Sequence, residues 1–277
     1  MAHIDRLTVY PVKGLDGIDC DTASILEGGT LESDREFALF DADGDVINGK
    51  RTDRVHDLET GFDPETTTLT VAPPDGDSLA FDLESAAGRE RAADWFSDYF
   101  GLEVTLERDR SLGYVDRREM GPSVISTATL REVASWFDDA DLTVDSVRRR
   151  MRANVEVGGV EPFWEDRFVG EEAPAFEAGD TTLEGVTPCG RCVVPQRDPE
   201  TGETLEGFRA RFLERREATF PDWADEDAFD HYYTLMVIMR IPETDRGGAL
   251  AVGDSITSTD ESASSSDFDD GHTQQVR

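Results

Sequence analysis

Two cysteines three positions apart, Cys189 and Cys192, lie within residues 187–202, T-P-C-G-R-C-V-V-P-Q-R-D-P-E-T-G. A thiol pair at this spacing suits half a zinc site, a redox couple, or a soft ligand for a transition metal. Structural zinc needs two more ligands. No second pair exists, and His3, His56, His231 and His272 stand singly. A redox couple works best where a helix dipole lowers a thiol pKa, but Pro195 and the Asp198-Pro199 step argue against a long helix directly after the pair. A thiolate-held metal such as molybdenum fits the remaining option, and on the residues alone all three readings stay open. With Cys20 the chain has three cysteines in 277 residues, too few for a disulfide framework.

A second chemical signal is a basic run at residues 148–157, R-R-R-M-R-A-N-V-E-V, in a chain with 61 acidic and 27 basic residues and a formal net charge of -34. Either an anion sits there or the arginines pair with surrounding carboxylates; the residues alone favour pairing. Only Lys13 and Lys50 are lysines. The acidic excess is spread along the whole chain, which predicts a surface adapted to high salt and disfavours a nucleic-acid partner. The acidic turn at residues 41–45 lacks the glycine position and distal glutamate of a calcium loop, so a plain turn is expected. No run approaches the roughly 18 apolar residues of a membrane span, and the N-terminus lacks the regions of a signal peptide. A cytoplasmic protein without a membrane partner is therefore expected.

These groups need elements to hold them. Alternation over residues 4–12 predicts a strand that ends at the bend of residues 11–14. Residues 36–40 and 46–47 read as a hairpin, as do 67–71 and 78–83 around P-P-D-G-D. Ala92, Ala93, Phe96 and Phe100 fall at helical spacing, and 103–106 returns to a strand. The charged, glycine-punctuated stretch 106–122 suggests a domain boundary. Ser126 or Thr127 then caps a helix carrying Leu130, Val133, Ala134 and Phe137. A strand follows the basic run, 232–241 reads as a buried strand, and 249–254 as the last one. From residue 257 almost nothing is apolar, which predicts a disordered tail. The organisation expected is 1–118, 119–256 and a tail at 257–277, with no internal repeat.

The cysteine segment resembles the P-C-x-R-C … D-P-x-T-G signature of MOSC proteins, a family named for the C-terminal domain of molybdenum cofactor sulfurase. Other blocks match in the same order. Tyr10, Pro11, Val12, Lys13 and Gly14 resemble a Y-P-V-K-S bend, and Asp34, Arg35 and Phe37 a D-R-x-F strand. Residues 150–155 resemble R-F-R-P-N-[IV], 162–166 resemble P-[FY]-x-E-D, and Val252, Gly253 and Asp254 match a closing V-G-D.

The resemblance implies an α+β, β-rich fold: an N-terminal β-barrel-like domain followed by a MOSC β-barrel domain with peripheral helices. It also implies a molybdenum cofactor, with Cys192 as metal ligand and catalytic residue. Lys13 and Arg35 would hold the cofactor phosphate, while Arg152, Asn154 and Arg191 would line the pterin. Arg51 matches a further family arginine. The two-domain, amidoxime-reducing members reduce N-hydroxylated compounds, so the implied activity is that of an oxidoreductase. No cluster of four cysteines follows Asp254, so electrons are expected from a separate ferredoxin or flavoprotein. A rival expectation is a cofactor or sulfur carrier that works through a Cys192 persulfide. Four departures stand out: Gly14 for serine, Ala153 for proline, Val194-Pro195 for a threonine pair, and residues 116–122, D-R-R-E-M-G-P, where the family carries an aspartate- and serine-bearing segment before the central helix.

Overall fold

The computed structural model describes residues 1–116, 120–140 and 142–258. Its strands are β1 (His3–Val9), β2 (Val12–Lys13), β3 (Ile18–Cys20), β4 (Thr22–Ser24), β5 (Phe37–Asp41), β6 (Glu59–Asp63), β7 (Thr68–Ala72), β8 (Leu79–Asp82), β9 (Val104–Arg108), β10 (Ser123–Ser126), β11 (Val155–Gly158), β12 (Ala175–Ala178), β13 (Thr181–Gly190), β14 (Thr234–Arg240), β15 (Ala249–Ala251) and β16 (Ile256–Ser258). The α-helices among the described residues are α1 (Ala86–Phe100), α2 (Thr127–Ser135), α3 (Val144–Met151) and α4 (Phe208–Ala218). None is long and apolar enough to cross a membrane.

Eight strands form one sheet in the order β16-β12-β13-β14-β10-β11-β1-β3. Its neighbours are antiparallel except β10 and β11, which run parallel. One face buries Leu7, Val124, Val157, Phe176, Val237 and Met239, which alternate along their strands as a half-buried sheet requires. A second apolar cluster lies under α2, α3 and α4, where Leu130, Val133, Phe137, Val147, Phe208 and Phe212 meet Ile125 and Leu235 of the sheet. Ser126 caps α2 by accepting from Thr129 N–H at 2.9 Å, so the start expected from the sequence is where the helix begins. The N-terminal half adds two small sheets, β2-β5-β9 and β6-β7-β8, packed with α1 through Phe37, Leu69, Val71, Phe81 and Phe96.

Two barrels were expected, and the fold is instead a strand-rich α+β architecture in which no sheet of the described residues closes on itself. The reason lies at the two edges of the large sheet. The chain leaves edge strand β3 into β4 and enters edge strand β16 from β15, and β4 pairs with β15 through Ala23 and Leu250. Near the two ends of the sheet a few backbone bonds do cross, among them Ile4 N–H to Asp254 O at 2.9 Å and Ile256 N–H to Ala2 O at 3.0 Å, but among the described residues they do not extend into a ladder that would close it. Strands from the first 24 residues pair with strands of the C-terminal half, so the pairing crosses the boundary expected at 118/119. Residues 117–119 at that boundary, and 259–277 of the expected tail, lie outside the described residues, while Thr257 and Ser258 pair with Glu177 and Phe176.

β1 belongs to the large sheet and β2 to a small one, so the turn at Tyr10 and Pro11 hands the chain from one body to the other. That handover fixes the junction where the candidate site lies.

Candidate functional site

A cavity of about 330 Å³ opens at this junction, within the size range of small-molecule pockets. Its wall comes from β2, the turn at Asp34 and Arg35, residues 48–56, the passage before β10, the C-terminal end of α3, and the end of β13 with the loop that follows. Both lysines of the chain, Lys13 and Lys50, line it, with Arg35, Arg149, Arg150, Arg152, Arg191 and Arg197. Among the described residues three carboxylates share this lining, those of Asp16, Asp34 and Asp116, while Arg149, Arg150 and Arg197 also reach Glu200, Asp198 and Asp53 beyond it. In a chain of net charge -34 such a concentration of positive charge marks a site for an anion.

The floor is organised around Tyr10. Its ring is buried, and the guanidiniums of Arg152 and Arg35 lie over it at 4.1 and 5.2 Å from the centroid. Burial pushes the phenol up to about 12 against the pull of Arg152 and Arg35, so it stays a neutral donor to Ala153 O at 3.2 Å. Asp34 accepts from Tyr10 N–H at 2.9 Å and pairs with Arg35. Arg35 itself takes a left-handed backbone, φ 55°, and Gly113 packs so closely that a Cβ there would come within 2.6 Å of Asp34 O. Arg152 is likewise left-handed, φ 59°, because it caps α3; this cap aims its side chain at Leu15 O, 2.6 Å away. Lys13 Nζ donates to Tyr114 O at 2.7 Å and to Asp116 Oδ1 at 2.6 Å. The departure at Gly14 has a local cause: φ is +95°, and a Cβ would meet Asn48 Cβ at 3.0 Å.

The opposite wall carries both thiols. Cys189 is the penultimate residue of β13, and Arg191 ties it to α3 by donating to Cys189 Sγ at 3.2 Å and to Met151 O at 3.0 Å. Cys192 follows in the loop, where Tyr233 Oη donates to its carbonyl at 3.3 Å. That loop is held by Arg150, whose buried guanidinium donates to Pro195 O, Arg197 O and Asp198 Oδ2. The basic run therefore divides. Arg148, Arg149 and Arg150 pair with Glu156, Glu200 and Asp198, as the pairing reading expects, whereas Arg152 has no carboxylate within ion-pair distance among the described residues.

Of the residues singled out from the sequence, Lys13, Arg35, Arg152, Asn154, Arg191 and Cys192 line the one cavity. Asn154 is committed internally: its Oδ1 accepts from Ser123 N–H and Oγ–H at 3.1 Å, and its Nδ2 donates to Thr8 O at 3.2 Å. Arg51 does not line the cavity. It pairs with Asp41 at 2.8 Å and Asp45 at 2.5 Å across the hairpin turn, and the cation on the wall is its neighbour Lys50. Lysine scarcity was the available signal for Lys50. His56 was also missed, because a lone histidine carries no spacing pattern. Burial first, then Arg197 and Arg152, push its imidazole below the ordinary value, which leaves it neutral at neutral pH.

Several wall atoms await a partner. His56 Nε2, Arg191 Nε and Arg197 Nε are enclosed without a hydrogen-bond partner among the described residues. Two of these are obligate donors, which an acceptor-rich anionic occupant would satisfy. Among the described residues no three His, Cys, Asp or Glu side chains gather as a metal site. A metal at Cys192 would thus bring most of its ligands with it, as a pterin-bound metal does. The residues present fit such a group.

Comparison with known proteins gives the family. Residues 1–140 match the MOSC N-terminal beta barrel domain and residues 118–257 the MOSC domain. Mitochondrial amidoxime reducing component 2 of Macaca fascicularis is 23% identical over 305 residues, covering 91% of this chain and 82% of its own length. Human mitochondrial amidoxime-reducing component 1 is 21% identical with the same two coverages. Molybdenum cofactor sulfurase of Oryza sativa subsp. japonica is 22% identical over 74% of this chain, which spans only 29% of that protein's length. The two domain matches together cover the chain from its first residue to residue 257, and the chain belongs to the MOSC family, as a two-domain member distantly related to the amidoxime reducing components.

Proposed function

We propose that this protein binds a molybdenum cofactor and reduces N-hydroxylated compounds with electrons from a separate ferredoxin or flavoprotein. The observation that carries the reading is the gathering of both lysines and six arginines around Cys192 in a chain this acidic. Such a wall recognises a phosphorylated, acceptor-rich ligand, and a thiol on the same wall supplies a soft metal ligand. When bound, the cofactor supplies two-electron chemistry at an N–O bond.

The chain's own residues bind and orient. Lys13 and Arg35 offer fixed donors for a phosphate, with Lys50 at the rim. Arg152 is held by the Tyr10 ring and Leu15 O, and Arg191 by Met151 O, so both reach a planar ligand in settled orientations. Cys192 is the proposed metal ligand. Asn154 acts as a brace that fixes β10 against β1 beneath the cavity, since its amide is already engaged with Ser123 and Thr8. The departures at Gly14, Ala153, Val194 and Pro195 bear on the choice of substrate more than on cofactor binding.

The test is the molybdenum and pterin content of protein purified in high salt from a molybdate-supplied host, wild type beside Cys192→Ala, followed by a screen of N-hydroxy substrates. Stoichiometric metal that is lost in the variant, together with reduction of an N-hydroxy compound, is the expected result. A metal-free wild type that carries persulfide on Cys192 would overturn it in favour of a sulfur carrier.

A further inference from the structure

Lys13 is surrounded closely enough that its pairing has to be settled within the protein. Its side chain is only 17% exposed, and an unpaired ammonium at such depth is costly. Two of its three donors are used, one on Tyr114 O and one on Asp116 Oδ1. These two acceptors differ in how firmly they are held. Tyr114 is anchored: its N–H donates to Arg35 O at 2.8 Å, its ring meets Phe40 edge-on at 5.2 Å, and Gly113 before it is pressed against Asp34 and Arg35. Asp116 is two residues further on, and its side chain is 75% exposed. Among the described residues its carboxylate accepts a hydrogen bond from Lys13.

We propose that Asp116 is a built-in competitor for the anion site: its carboxylate neutralises Lys13 while the cavity is empty and must leave Lys13 when a phosphate-class anion binds. This rests on the reading of the cavity as a site for an anionic cofactor. Charge supports it. Desolvation at its inner end opposes the ionisation of Asp116, yet the hydrogen bond and charge of Lys13, followed by Lys50 and Arg35, hold its carboxyl below the usual range. Among the described residues the cations that the carboxylate feels are Lys13, Lys50 and Arg35, all three on the cavity wall. Departure is easy because most of the side chain already faces water, and Tyr114 O remains to keep Lys13 in place. The contact keeps Lys13 paired before loading, and it lowers affinity for small anions that lack the rest of the cofactor's contacts.

The experiment measures binding of inorganic phosphate to the full chain, purified free of cofactor, by titration calorimetry at fixed ionic strength. Wild type is compared with Asp116→Asn, Asp116→Glu and Lys13→Ala. The expected result is binding roughly three- to five-fold tighter in Asp116→Asn, unchanged in Asp116→Glu and lost in Lys13→Ala. Urea midpoints of wild type and Asp116→Asn should lie close together, since Asn Oδ1 and Tyr114 O can both still accept from Lys13 Nζ. Equal or weaker binding in Asp116→Asn, with Lys13→Ala still defective, overturns the competitor role and leaves the anion site standing. Absence of phosphate binding in every form overturns the anion site itself, and the competitor with it.

Discussion

Arg150→Lys tests whether the basic run secures the loop that carries Cys192. The Arg150 side chain is 2% exposed and splits its fork four ways: Nε to Ser146 Oγ at 3.2 Å, Nη1 to Pro195 O at 3.1 Å and to Arg197 O, and Nη2 to Asp198 Oδ2 at 3.1 Å. An ammonium is a single point and cannot span that fork, so placed at the two carbonyls it leaves Asp198 and Ser146 Oγ without their donor. Each charge-assisted hydrogen bond lost in a buried setting costs about 1.5–3 kcal/mol. Asp198, 38% exposed, recovers part of this by hydration, which brings the expected loss to about 2–4 kcal/mol. Urea denaturation reads that loss directly. Site-resolved modification of Cys192 by a small aromatic disulfide reads the loop, and it should quicken in the variant even where the protein is fully folded. A variant within about 0.5 kcal/mol of wild type, with Cys192 modified at the same rate, would refute the assignment of Arg150 as the clamp.

Two further outcomes are expected. Lys50→Ala should lower the molybdenum and pterin retained through gel filtration, whereas Arg51→Ala should retain both at the wild-type level, since Arg51 is engaged with Asp41 and Asp45 outside the cavity; the reverse order would restore Arg51 as the binding residue. Burial, with Asp166 beside it, pushes the Glu165 carboxyl from 4.5 up to about 8. Below pH 4.5 the group is protonated folded and unfolded alike; as pH rises toward 8 only the unfolded chain releases the proton, and stability falls by up to about 1.4 kcal/mol per pH unit. Glu165→Gln should flatten that slope between pH 5 and about 8 in urea titrations, and an unchanged slope would show that Glu165 is ionised in the folded protein.

Local pattern was enough for the elements whose burial alternates cleanly. The helix with Ala92, Ala93 and Phe96 inward, the hairpin of β7 and β8, and the Ser126 cap all follow from spacing and turn chemistry. α4 did not stand out because its buried stripe is Phe208, Phe212 and Arg216, and an arginine four residues beyond two phenylalanines reads as solvated surface. In the fold Arg216 is fully buried against Asp166, and its guanidinium lies 4.3 Å from the Phe163 ring centroid. β13 was hidden for a different reason: it carries Gly185, Pro188 and Gly190, strand-weakening residues that here coincide with shifts of its register against β14. The open sheet was beyond reach as well, since edge closure depends on β4 meeting β15 from opposite ends of the chain. At the site, order along the chain pointed to Lys13, Arg35, Arg152, Arg191 and Cys192, which share one cavity wall, and to Arg51, in whose place the wall carries the adjacent Lys50, because the turn at residues 41–45 takes Arg51 into its ion pairs.

The charge distribution bears on how so acidic a chain could hold an anion at all. At low ionic strength the field of 34 net negative charges would reach tens of ångströms and disfavour the approach of any polyanion. At 1 M salt the screening length falls to about 3 Å, so that distant carboxylates cease to act. The cavity's cations act at hydrogen-bonding distance and in partial burial, where screening is weakest: Lys13 is mostly enclosed and Arg152 stacks on a buried ring. Salt therefore removes the long-range repulsion faster than it removes the short-range attraction. Arginine strengthens this asymmetry, because its fork can be fixed by backbone carbonyls such as Leu15 O and Met151 O without spending a carboxylate. Five wall cations are nonetheless paired, Lys13 with Asp116, Arg35 with Asp34, Arg149 with Glu200, Arg150 with Asp198 and Arg197 with Asp53, whereas Arg152 has no carboxylate within ion-pair distance among the described residues.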